Sequence, residues 1–179
     1  SAVERWGTND RFTTLADASA ALTEAPGDLD LVLVLSVLHH VPDYLSLLDR
    51  VVRRLRTGGT LLTLQDPLYY PRLDRLTRRA DRLAYLTWRA GEGQVRAGTR
   101  AALRRARGDY PSAPDGGLTY YHVTRQGVDE RAVLEALGPR FARVQLITYW
   151  SNHLGPAARV AERVGLRNTF AVRASGFGS

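Results

Sequence analysis

The sequence predicts an α/β fold, and three consecutive stretches carry that prediction. Leu29 to Leu38 (LDLVLVLSVL) is almost entirely apolar. That is the pattern of a strand buried on both faces, as in a parallel sheet covered by helices. Pro42-Asp43 then opens a segment whose apolar positions Leu45, Leu48, Val51, Val52 and Leu55 recur at helical spacing, with Gly58-Gly59 at its end. Thr60 to Leu64 reads as a second buried strand, so strand, helix and strand make one crossover unit.

The other elements extend this unit in both directions. Arg11 to Ala16 is a short β-rich run ending at Asp17, and Ala18 to Leu22 is a helical turn stopped by Pro26-Gly27. Pro71 to Tyr110 is helix-compatible, basic and interrupted by Tyr85 and Trp88, which marks a helical insertion after the second buried strand. A loop rich in Pro, Gly and Asp closes that insertion at Gly117. Leu118 to Val123 precedes a helix over Val128 to Leu137, which Gly138-Pro139 terminates. Phe141 to Trp150 reads as a strand, Ala157 to Val164 as a short helix ended by Gly165, and Thr169 to Ala174 as a final strand. The chain reads as one domain, 1–179, with the insertion at 71–117 inside it.

Composition narrows the function classes. The 179 residues suit a single domain, and 44% hydrophobic with 24% charged residues is ordinary for a globular chain. Cysteine is absent, which removes disulfides, thiolate metal sites and cysteine nucleophiles. Four His without cysteine or closely spaced carboxylates do not suggest a metal centre. The longest apolar run is about half of the roughly 20 residues that span a bilayer. Ser1 to Asp10 shows no basic region followed by an apolar stretch. The expectation is a cytoplasmic protein with no membrane partner.

All 25 basic residues are Arg, which fits a GC-rich, bacterial genome. The net charge of +7 is concentrated: Arg72 to Arg107 holds eleven Arg against Asp74, Asp81 and Glu92, a local +8, leaving −1 for the rest. Such a segment is either a solvated helical face or an attractor of anions. No nucleic-acid-binding module accompanies it, so nucleic acid is not the expected partner.

Ligands of open α/β sheets bind beyond the carboxyl ends of the strands. That rule selects Asp17, Ser36 to His40, and Gln65 to Tyr70. Tyr69, Tyr70, Tyr120, Tyr121, His122, Tyr149 and Trp150 flank the same region and offer flat surfaces for a small molecule or for core packing.

Asp28 to Leu61 resembles the middle of a class I S-adenosylmethionine-dependent methyltransferase. The resemblance lies in an Asp opening a buried strand, Leu38-His39-His40 at its end, and Arg53-Arg54-Leu55-Arg56-Thr57-Gly58-Gly59 before the next strand. Phe12 to Asp17 followed by Ala18 resembles the family's third strand and its Asp-Ala turn. The resemblance implies a Rossmann-like sheet, mostly parallel, with an antiparallel C-terminal strand pair and a helical lid at the insertion. It implies S-adenosylmethionine as cofactor, with Asp17 accepting a hydrogen bond from the adenine amino group and Ala18 facing the ring. Ser36 and Val37 then lie by the sulfonium.

For the reaction, the resemblance implies methyl transfer to a small molecule at a hydroxyl, with His39 or His40 as proton acceptor and Asp66 either orienting the imidazole or helping to bind the substrate hydroxyl. A helix cap and simple packing are the alternative roles for the two His. Tyr69, Tyr70, Tyr121, His122 and Trp150 are the implied substrate contacts, with His122 a second candidate base.

The family's glycine-rich turn after its first strand is not in this sequence. In the family order 3-2-1-4-5-7-6, the first two strands have no counterpart here. The expectation is therefore that an upstream segment or a second chain completes the sheet, since the Asp30–Ser36 strand otherwise exposes an apolar edge. A methyltransferase fold without methyl transfer is the alternative reading, either as a repurposed cyclase or isomerase or as a non-catalytic partner subunit.

Overall fold

A computed structural model describes residues 27–91, 127–151 and 155–178. The described strands are β1 (Leu29–Leu35), β2 (Leu55–Pro67), β3 (Phe141–Tyr149) and β4 (Thr169–Phe177). The helices are α1 (Tyr44–Val52), α2 (Arg75–Gly91), α3 (Glu130–Leu137) and α4 (Gly155–Arg163). The strands form one sheet in the order β1-β2-β4-β3. β1 and β2 are parallel, whereas β4 runs antiparallel to both β2 and β3. This mixed α/β sheet is compatible with a Rossmann-like methyltransferase fold, and its order follows the 4-5-7-6 run. The implied antiparallel C-terminal pair is present. The expected strand at Phe12 lies outside the described residues, as do Leu118 to Val123 and most of the insertion.

The crossover differs from its sequence reading at both strands. β1 is not buried on both faces: Leu31, Leu33 and Leu35 are 56%, 53% and 51% exposed. Val32 and Val34, on the alternate face, pack into the core. Residues at spacing two share a face, and only the Val face is covered by described elements. The strand also stops at Leu35, because Ser36 takes a φ of 55°.

α1 begins where expected. Asp43 caps it, accepting a hydrogen bond from the Ser46 amide at 3.0 Å. Its buried face is Leu47, Leu48, Val51 and Val52, while Leu45 is exposed and Leu55 already belongs to β2. Gly58-Gly59 does not end the helix; it lies inside a 13-residue strand. Gly58 has a φ of 80°, and a Cβ on Gly59 would come within 2.8 Å of the Arg56 carbonyl and 3.1 Å of the Leu29 carbonyl. The glycines thus let β2 kink against the start of β1, where the pairing register shifts. Arg56 also reaches Asp30 at 2.5 Å.

The core joins α1 and α3 to one face of the sheet through Leu48, Val52, Val133, Leu137, Leu61, Phe170 and Val172. α3 is capped by Asp129, which accepts from the Arg131 and Ala132 amides. The same carboxylate takes both terminal nitrogens of Arg72, whose guanidinium lies 4.8 Å from the Tyr69 ring centre. That bidentate pairing holds the Asp129 carboxyl down at about 2. It fastens the turn after β2 to the start of α3. Among the described residues, no helix is long and apolar enough to cross a membrane.

Candidate active site

The site is built where β1 and β2 end side by side. Leu35 pairs with Leu64, and the Ser36 amide still donates to the Leu64 carbonyl at 2.7 Å. β1 then leaves the sheet by a left-handed residue, Ser36 at 55°, whereas β2 bulges at another, Gln65 at 61°, and pairs with β4 again through Asp66 and Pro67. Non-glycine residues held there are uncommon, and such strain clusters at functional sites.

After Ser36 the chain makes a 3-10 turn over Leu38–His40. Val41 is extended, as the residue before Pro42 must be. The turn places Leu38 and His39 inward. On β2 the inward residues are Gly59, Leu61 and Thr63, and the next is Asp66 rather than Gln65. A register shift between Thr63 and Asp66 adds one residue and reverses the phase. Thr63 Oγ1 accepts from the Val172 amide at 3.2 Å beside this bulge.

The two displaced strand ends bring His39 and Asp66 together. His39 Nδ1 lies 2.7 Å from Asp66 Oδ1, and the His39 amide donates to the same oxygen at 3.2 Å. The side chains are 7% and 1% exposed. A carboxylate is acceptor-only, so this contact places the ring proton on Nδ1 and the lone pair of the neutral imidazole on Nε2. Asp66 Oδ2 is buried and has no hydrogen-bond donor among the described residues. A buried carboxylate oxygen without a donor is costly.

The His40 ring lies 4.0 Å from that of His39, centre to centre, tilted by 42°. Burial pushes the His40 imidazole down, the neighbouring His39 adds to this, and Asp66 opposes it. A value below the unfolded-state 6.5 means that folding disfavours the protonated ring. The stability linked to His40 is then present above about pH 6.5 and lost as pH falls through the lower folded value. Urea unfolding at about pH 7.5 and about pH 5 should show a smaller acid loss in His40→Gln than in the parent chain. An equal loss in both would remove His40 as the cause.

A cavity of about 270 Å3 opens beside the pair, lined by Ser36, His39, Gln65, Tyr70, Asp81, Asn168 and others. Its far wall is a polar clasp. Asn168 donates to Asp81 Oδ1 at 2.7 Å and to the Ser151 carbonyl at 2.9 Å, and accepts from the Ser151 amide at 2.8 Å. This clasp ties α2 to the loop after β3 and the start of β4. Tyr70 adds a bond from its hydroxyl to the Arg78 carbonyl at 3.3 Å.

Ser36, His39 and Tyr70 line this cavity. His40 and Val37 are not among its lining residues, although each adjoins one in the chain, as Asp66 adjoins Gln65 and Pro67. Tyr69 lines a different cavity, with Arg72 and Glu130. Trp150 is 4% exposed and packs inside. Asp17, Ala18, Tyr121 and His122 lie outside the described residues. Asp81, Ser151, Asn168 and Thr169 were not singled out from sequence. The signal for Ser151, Asn168 and Thr169 was the antiparallel direction of β4, which returns its amino end, and the carboxyl end of β3, to the edge where β1 and β2 finish.

Residues 2–63 match the family model of the methyltransferase domain. The match supports a class I S-adenosylmethionine-dependent methyltransferase family, whose members generally use that cofactor. It takes in β1, the His39 turn, α1 and most of β2, and stops three residues before Asp66. Methyl transfer, in general terms, is the activity it indicates. No curated protein matches the chain. Among the described residues, no group of His, Asp and Glu could hold a metal ion.

Proposed function

We propose that this chain transfers a methyl group from S-adenosylmethionine to a hydroxyl of a small molecule, with His39 as proton acceptor and Asp66 as its orienting carboxylate. The buried His39–Asp66 contact at the cavity carries this reading. Bound S-adenosylmethionine supplies a methyl group activated by a sulfonium. Ser36 and Val37 would face the sulfonium end, and Asp17 with Ala18 the adenine end.

The protein residues then have defined tasks. Asp66 fixes the His39 tautomer and ring plane through Nδ1. His39 Nε2 takes the proton of the acceptor hydroxyl as the oxygen becomes nucleophilic. Ser36, Gln65 and Tyr70 supply polar contacts that hold the acceptor in one orientation, where alignment is the larger part of the rate. A cavity of about 270 Å3 suits a small acceptor.

Calorimetric titration of S-adenosylhomocysteine, followed by a labelled-methyl assay on hydroxylated small molecules, tests the reading. One-to-one binding and label on a hydroxyl oxygen are expected. A folded chain that binds no S-adenosylhomocysteine, or labels only nitrogen, overturns it.

A further inference from the structure

The His39–Asp66 contact depends on the β2 bulge, and the bulge depends on one strained residue, Gln65. Its φ of 61° is a conformation in which a side-chain-bearing residue is held only by its surroundings. A bulge also removes ladder bonds, leaving a backbone group to be satisfied elsewhere. Here that group is the Gln65 amide, and it donates to the hydroxyl of Tyr149 at 3.1 Å.

The bond spans the sheet. Tyr149 is the last residue of β3, two strands away, and pairs with Thr169 of β4, which in turn pairs with Pro67 of β2. The three strand ends therefore meet at one level, and the phenol crosses β4 to reach the residue before Asp66. The end of β3 is itself fixed, since the Asn168 amide donates to the Tyr149 carbonyl at 3.1 Å.

We infer that Tyr149 is a positioning residue whose hydroxyl pins the Gln65 bulge and so holds Asp66 turned onto His39. The inference rests on the reading of that pair as the reacting end of the site. It assigns Tyr149 no contact with substrate. Its effect passes through the backbone of Gln65 to the carboxylate that follows. Without the phenol oxygen, Gln65 can relax toward an extended conformation. The side-chain phase of β2 then returns toward regular alternation, which turns residue 66 away from the inward face.

The test is made on the 15N-labelled full chain in the parent, Tyr149→Phe and Tyr149→Phe/Gln65→Gly. In Tyr149→Phe the Gln65 amide should exchange with solvent about tenfold faster, the size of one hydrogen bond. The imidazole 15N signals of His39 should lose the pattern of a single Nδ1–H tautomer. Glycine takes positive φ without a Cβ penalty, so the double variant should recover that pattern at least in part. An unchanged His39 pattern in Tyr149→Phe overturns the inference, whether or not the Gln65 amide is released. Should Tyr149→Phe lose its fold, the double variant decides: a restored His39 pattern supports the pin, and continued unfolding overturns it. These readouts require no methyl transfer, so a parent chain with the expected signals but no activity would sink the proposed function and leave the pin standing.

Discussion

Asp66→Asn is expected to lower kcat for methyl transfer by about 100- to 10,000-fold, the range of a positioned acid–base group. The asparagine fills the same volume, so packing around this fully buried residue is retained. What changes is charge and hydrogen bonding: the asparagine oxygen stays on the His39 amide and Nδ1, its NH2 falls at the buried Oδ2 position without an acceptor, and the negative charge that favours a protonated imidazole is gone. His39→Gln should give a loss of similar size. The double variant should lose little more than either single one, because the two side chains act as a unit. Binding of S-adenosylhomocysteine should change far less than kcat. Unaltered turnover in both single variants would show that alignment alone drives the reaction and would remove the proton-acceptor role.

Gly127→Ala should cause the largest loss of stability among alanine substitutions at the described glycines. Gly127 has a φ of 96°, and a Cβ there would collide with the carbonyl of Leu68, with the Pro67 carbonyl 3.1 Å away. The backbones cannot separate, because the Val128 amide donates to the Pro67 carbonyl at 2.9 Å and Val128 bridges Leu68. Positive φ costs a residue with a Cβ about 1–2 kcal/mol, and forced overpacking about 1–3 kcal/mol. For a chain of this size the melting temperature should fall by about 5–15 °C. Gly138→Ala is the matched control: that glycine is helical, with nothing within 4 Å of an added Cβ. If both variants melt alike, the close approach of Gly127 to Leu68 is not a constraint on folding. The site should also suffer, since the displaced Pro67 and Leu68 directly follow Asp66.

Both expectations turn on the same few residues after Leu64, and there the sequence was least informative. The alternation Gly59, Leu61, Thr63 projects Gln65 inward and Asp66 outward. Nothing in the local pattern marks the extra residue, because its cause lies in Tyr149, 84 positions away from Gln65. The same limit explains the misplaced end of α1. Leu55 continues the helical spacing, but Gly58 and Gly59 are required by the neighbouring strand rather than by a helix terminus.

Other parts were legible because their causes are local. Asp43 and Asp129 cap helices through amides two or three residues on. Gly165 closes α4 with a φ of 82°. Apolar runs and periods identified all four described strands and placed His39, His40 and Asp66 at strand ends. By itself, then, the sequence determined the α/β class, the order of elements and the strand ends that hold the chemistry. Only the tertiary structure decided which His meets Asp66, which face of β1 is covered and that Trp150 is interior. Those outcomes depend on register, twist and contacts between residues far apart in the chain, which no local pattern encodes.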